Sequence, residues 1–236
     1  MQIVRANRPA PKPIQTAPQH MSNVITFNND IKITSRCLKD IFSSATFPGA
    51  PDDPEYQPTC VFLLLFDPGR PRILAIQKSD RYGYPWRNQI ALPGGHRDQD
   101  DPSAMDTAFR ELDEELGIPR NQVDLIGSMG HFQTIHHKDI EVFVGMWDGR
   151  GPVRYDAEEI SRVLVIPLKK LIRLHMSSVS SGNPSGSEAI TYPFKDVVIW
   201  GVTAKILYHF IELIYPKVTS TGPAPDILSG SSPLAP

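Results

Sequence analysis

Residues 92–118 constrain this chain more than any other stretch: Leu-Pro-Gly-Gly-His-Arg-Asp-Gln-Asp-Asp-Pro-Ser-Ala-Met-Asp-Thr-Ala-Phe-Arg-Glu-Leu-Asp-Glu-Glu-Leu-Gly-Ile. Asp101 is a good N-cap, and Pro102 stands where a first helical residue has no use for its N–H. Gly117 suits the left-handed residue that closes a helix. The spacing therefore predicts a helix from about Pro102 to Leu116. At about 100° per residue, Met105, Phe109, Leu112 and Leu116 share one stripe that should face a core. Glu111, Glu114 and Glu115 are i+3 and i+4 neighbours and gather on a different face. Three carboxylates on one turn repel each other unless positive charge sits among them. Arg110 supplies one charge, and a divalent cation is the other obvious candidate. Oxygen ligands without nearby Cys or imidazole suit a hard ion, Mg²⁺ or Mn²⁺. The Pro93-Gly94-Gly95 turn lets backbone approach the cluster, with the Gly95 carbonyl as a further ligand. A solvated acidic face would account for the glutamates alone, but not also for the Gly-Gly turn, the arginine and the terminal glycine.

An amphipathic helix needs a partner, and the surrounding sequence offers strands. Thr59–Phe66 is a β-rich apolar run, Asp67–Arg70 a turn, and Arg72–Gln77 the hairpin return. Further strands are expected at Gln89–Leu92, Val123–Ser128, Glu141–Trp147 and Arg162–Ile166, the last running into a helix from Pro167. A short helix is expected over Ser35–Phe42, capped by Thr34 or Ser35, and a longer one over Val202–Tyr215, preceded by Asp196–Trp200. Ser177–Ser187 reads as a surface loop. This mixed order points to one α+β sandwich. Proline at four positions in residues 8–18 forbids a helix or central strand. Residues 1–34 are accordingly read as a flexible arm, 35–217 as the domain, and the Ser/Gly/Pro-rich 218–236 as a flexible tail.

Composition excludes several classes. A net charge of −2 leaves no global basic footprint, so nucleic acid is not an expected partner. Two cysteines, Cys37 and Cys60, with no Cys-x-x-Cys pair, read as reduced thiols. The N-terminus lacks a signal-peptide pattern, and the most apolar run, Val61–Phe66, is strand length, so no membrane span is expected. The expected location is cytoplasmic. His131, His136 and His137 match no ligand spacing and read as a loop between strands.

Arg110-Glu111-Leu112-Asp113-Glu114-Glu115-Leu116-Gly117-Ile118 resembles the second half of the Nudix box, Gly-x5-Glu-x7-Arg-Glu-U-x-Glu-Glu-x-Gly-U with U aliphatic, at every specified position. In the first half, Gly95 lies one residue further from Arg110, and Asp98 or Asp101 stands in for the box glutamate. Such a longer box, Gly-Gly-x-x-Asp-x-x-Asp, resembles the coenzyme A diphosphatase branch of the family. Lys78-Ser79 looks like the Arg-Ser that opens that branch's upstream signature, and Gln89–Gly95 looks like its approach to the box. Ile199-Trp-Gly-Val-Thr-Ala204 looks like its C-terminal helix start. The branch carries a glycine where Asn88 stands, a phenylalanine where Leu92 stands, and one residue fewer between Ser79 and Gln89. The resemblance covers about residues 57–215.

The resemblance implies an α/β/α sandwich with a mixed sheet and a metal-dependent hydrolase of a nucleoside diphosphate derivative. Coenzyme A or an acyl-coenzyme A is the first substrate to expect; a nucleotide sugar, a dinucleotide or a capped RNA end is the alternative. A non-catalytic nucleotide-binding module is a third reading, which the three retained glutamates oppose. By the resemblance, Glu111, Glu114 and Glu115 hold Mg²⁺ or Mn²⁺, Arg110 orients them, and Glu159 is a candidate general base. A homodimer is also implied. Among Arg70, Arg72, Lys78, Arg81, Arg87 and Arg97 stands one acid, Asp80, so this stretch can serve an anionic substrate. Lys78, Arg81, Arg87, Gly94 and Gly95 are the expected substrate contacts, with Tyr82, Tyr84 and Trp86 available to stack on a base.

Overall fold

A computed structural model describes residues 31–82, 86–180 and 190–219. Most of the expected N-terminal arm and C-terminal tail, Tyr84, and the later part of the Ser/Gly-rich loop lie outside the described residues.

The apolar run becomes β1 (Gln57–Phe66), the centre of the molecule. It pairs antiparallel with β2 (Arg72–Lys78) and with β4 (Gly94–His96), and parallel with β6 (Lys138–Trp147). Among the described residues, β3 (Ile90–Ala91), β5 (Val123–Gln133) and β7 (Ile160–Pro167) complete a mixed seven-stranded sheet in the order β3-β2-β1-β6-β5, with β4 on β1 and β7 on β2. Successive side chains of a strand face opposite sides, and here both sides are covered. Val61, Leu63 and Leu65 join the cluster that packs on α1 (Ser35–Ser43), α3 (Leu168–Ser180) and α4 (Gly201–Thr219). Cys60, Phe62 and Leu64 join the cluster beneath α2 (Ala104–Leu116). The result is the expected α+β sandwich, helices on both faces of a mixed sheet. No helix among the described residues is long and apolar enough to cross a membrane.

Several expectations change at the level of elements. Ser103, not Asp101, caps α2, its Oγ accepting from the Asp106 N–H at 3.2 Å, and Pro102 lies outside the helix. Asp101 is drawn away by Arg110 and Thr107. Phe109, Leu112 and Leu116 are buried as the stripe requires, while Met105 is only partly buried at its edge. Gly117 ends the helix at φ 65°. β5 and β6 extend beyond the expected segments, so His131 belongs to a strand, not to the connection. Its Nδ1 lies 2.7 Å from Asp139. α3 runs on through Ser180, so the start of the expected loop is helical. The β4 strand and the hairpin β8 (Tyr192–Phe194) to β9 (Val197–Ile199) add to the expected elements.

Candidate functional site

The acidic face of α2 is graded, because the helix presses one side against the sheet. Glu115 is 5% exposed. The Glu111 side chain is 17% exposed and that of Glu114 59% exposed. Arg110 stands among them with Nη1 3.1 Å from Glu111 and 2.8 Å from Glu114. Its other faces meet Asp101 at 3.0 Å and Asp98 at 3.4 Å. One guanidinium thus serves four carboxylates, which holds Arg110 well above its ordinary value, Asp101 contributing most. In turn, Asp101 sits well below the usual carboxylate range because of Arg110, helped by the Asp98 N–H and the Thr107 hydroxyl. Asp98 and Asp101, the two candidates to stand in for the box glutamate, therefore both act on the arginine.

Glu115 is clamped from two sides. Lys78 Nζ donates to Oε1 at 2.6 Å and the Gly94 N–H donates to Oε2 at 2.9 Å. Lys78 also donates to Glu159 Oε1 at 3.0 Å. Burial pulls the Lys78 ammonium down, but Glu115 and then Glu159 outweigh it and hold the group above the ordinary lysine range. Burial pushes Glu115 up, opposed by Lys78 and the Gly94 N–H. β2 ends at Lys78, and Ser79 continues by donating its N–H to the Glu159 carbonyl at 2.9 Å. Lys78, expected among the cations offered to substrate, is therefore committed to two carboxylates of the protein. Glu159, the candidate general base of a turn distant in sequence, is joined through it to α2.

Gly94 and Gly95 earn their glycines by different contacts. Gly94 has φ 146°, and a Cβ there would fall on the Cys60 carbonyl oxygen and Val61 Cα. A Cβ on Gly95 would fall on the Glu111 carboxylate. Backbone and carboxylate thus meet where the turn was expected to bring them. Arg81, Arg87 and Tyr82 are exposed, with Arg87 3.8 Å from Asp80. Trp86 packs edge-on to His136, ring centroids 5.8 Å apart. Arg97 donates to the Asp101 and Pro102 carbonyls ahead of α2.

Sequence reasoning missed Glu141. It lies opposite Cys60 in the parallel pair and opposite His131 in the antiparallel one, on the side of the sheet that α2 covers. The signal was present in the alternation of β6, where Phe143, two residues on, is core on that face. Burial first, then Glu111 and Glu141, push the Cys60 thiol up to about 12. Among the described residues no three His, Cys, Asp or Glu side chains are already arranged to hold a metal ion. The donor chemistry nevertheless fits a hard cation: Glu111, raised by burial and by Glu115, and Glu114 share one arginine with two aspartates.

A family model described as "NUDIX domain" matches residues 56–182. A curated relative, the uncharacterized Nudix hydrolase NudL of Yersinia pestis (strain Pestoides F), is 29% identical over 129 residues. That match covers 53% of this chain and 64% of the relative, so the chain spans somewhat under two thirds of the length of the curated protein. Among solved structures, a MutT/nudix family protein from Enterococcus faecalis aligns with a TM-score of 0.45 at 17% identity, covering 75% of this chain and 67% of that one. The Ap4A hydrolase of C. elegans, solved as a binary complex, aligns with a TM-score of 0.42 at 16% identity, covering 53% and 99%.

Proposed function

The chain belongs to the Nudix family, and we propose that it hydrolyses the pyrophosphate bond of a nucleoside diphosphate derivative, with coenzyme A or an acyl-coenzyme A as substrate. The products are then 3′,5′-ADP and a phosphopantetheine. The observation that carries the reading is the clamp on Glu115. A glutamate that only solvated a helix would not be kept 5% exposed and fixed by a lysine and a backbone N–H. Its neighbours Glu111 and Glu114 crowd a single guanidinium with two aspartates, leaving a local excess of negative charge.

Glu111, Glu114 and Glu115, with the Gly95 carbonyl, are the residues that would hold Mg²⁺ or Mn²⁺. Such an ion neutralises diphosphate charge and acidifies a bound water. Arg110 orients Glu111 and Glu114. Lys78 opposes the effect of burial on Glu115 and ties it to Glu159, whose half-exposed carboxylate accepts the proton of the attacking water. Arg81 and Arg87, exposed nearby in the chain, bind the phosphates of the substrate, including a 3′-phosphate. Support for the coenzyme A branch comes from the meeting of its sequence pieces. Lys78 and Gln89 are joined by a backbone hydrogen bond of 3.0 Å, and β9, which ends in Ile199, lies against β3.

The test is product analysis with Mg²⁺ on coenzyme A, acetyl-coenzyme A, ADP-ribose, NADH and a dinucleoside polyphosphate. Metal-dependent release of 3′,5′-ADP from coenzyme A is the expected result. Cleavage of another member with coenzyme A untouched would move the substrate assignment and leave the hydrolase standing. No cleavage with either Mg²⁺ or Mn²⁺ would overturn the catalytic reading.

A further inference from the structure

A cavity of about 590 Å³ is lined by Arg70, Arg72, Lys169, Lys170 and Lys195 around Phe194, with no acidic residue among the described residues of its wall. Its volume lies in the range of small-ligand sites, roughly 300–1,000 Å³. It is separate from the α2 cluster. β2 and β7 set Arg72 opposite Pro167 at one end and Lys78 opposite Ile160 at the other. At about 3.3 Å per residue, the two ends are roughly 20 Å apart. Arg70 and Arg72, part of one basic stretch in the sequence, are thereby parted from Lys78.

The cations here are placed against local preference. Lys169 and Lys170 occupy the first turn of α3, which holds no acid, at the helix end where positive charge is unfavourable. Lys195 has φ 55°, a left-handed backbone that asparagine or glycine adopts more easily. The ammonium groups of Lys170 and Lys195 stand 4.8 and 5.4 Å from the centroid of one ring, Phe194. Asp67 lies 3.6 Å from Arg72, and Asp196, beside Lys195, lies 2.8 Å from Arg162. Arg70, Lys170 and Lys195 form no ion pair with a carboxylate among the described residues, and a bound anion would be attracted to all three. We propose that this cavity is a second anion site, which takes a small, multiply charged phosphate compound of nucleotide size independently of the diphosphate cleaved at α2. Arg70, Lys170 and Lys195 would donate charge-assisted hydrogen bonds to its phosphate oxygens.

The experiment is calorimetric titration of the full chain with inorganic tripolyphosphate and with ADP, in EDTA, at low and high salt. The expected result is salt-sensitive binding that Glu115→Gln leaves unchanged. Replacing Lys170→Gln and Lys195→Asn together should weaken it at least about tenfold. Both lysines are exposed, and asparagine eases the left-handed backbone, so the melting temperature of the double variant should not fall below the parent's. Lys170→Gln alone, on an exposed helical position, should give part of the loss. Full-strength binding in the double variant would overturn the proposal. So would absence of binding in the parent, or loss of binding on Arg81→Gln with Arg87→Gln instead.

Discussion

At the scale of single residues, Glu115 and Lys78 form a pair whose members cannot be removed alone without penalty. Lys78→Met leaves Glu115 buried without its ammonium, and should cost about 3–5 kcal/mol of stability in urea denaturation. Adding Glu115→Gln to that variant should recover part of the loss. Glu115→Gln by itself should reduce turnover more than about 100-fold, with a smaller loss of stability, since Glu159 still partners Lys78. Asp101 gives a pH signature. Arg110 holds its carboxyl low, so around and below pH 4 the folded chain binds fewer protons there than the unfolded chain. Its contribution is present above about pH 4 and is lost as pH falls through the folded value. Asp101→Asn should therefore lower the melting temperature at neutral pH, and the gap to the parent should narrow below about pH 4. The inward direction of Lys78 was legible in the alternation Leu74, Ile76, Lys78, two of which are core on the α2 side. Its partner was not, because that depends on how α2 lies across the sheet. Asp101 obeys a local capping rule on paper, and a side chain nine residues later wins it.

At the scale of elements, the Gly94-Gly95 strand separates structure from chemistry. Alanine at Gly94 meets backbone that cannot yield, at a φ that disfavours a side chain, and should lower stability by about 1–3 kcal/mol. Alanine at Gly95 meets the end of a side chain, which can move. That variant should melt near the parent temperature while kcat falls about 10- to 100-fold through displacement of Glu111. Parallel melting curves and steady-state kinetics distinguish the two. The helix of this motif was legible from its stripe and its terminal glycine, though it starts at Ala104, two residues past the expected Pro102. β4 was not, since three residues with two glycines carry no strand preference of their own. They are a strand because the Cys60–Val61 backbone offers them partners. The β8–β9 hairpin is three residues on each side and escaped for the same reason.

At the scale of the molecule, β1 divides two cores that report on different things. Phe62 and Leu63 are both fully buried, on opposite faces. Phe62→Ala should cost about 3–5 kcal/mol and Leu63→Ala about 2–5 kcal/mol. Only the first lies under α2, against Phe109 at 4.8 Å between ring centroids, and only it should also lower kcat when both variants are assayed fully folded. The sandwich could be read from the order of strands and amphipathic helices. The parallel pairing of β1 with β6 could not, since nothing local announces a partner some eighty residues away. That distance also sets a timetable. β1 is complete at Phe66, but its parallel neighbour starts at Lys138 and ends at Trp147. With synthesis at roughly 5–20 residues per second, several seconds pass between the two. Throughout that interval the nascent chain carries Val61–Leu65, the strip that the finished molecule keeps wholly inside, with one edge unclaimed. Its safe passage off the ribosome then depends on what shelters that edge in the meantime.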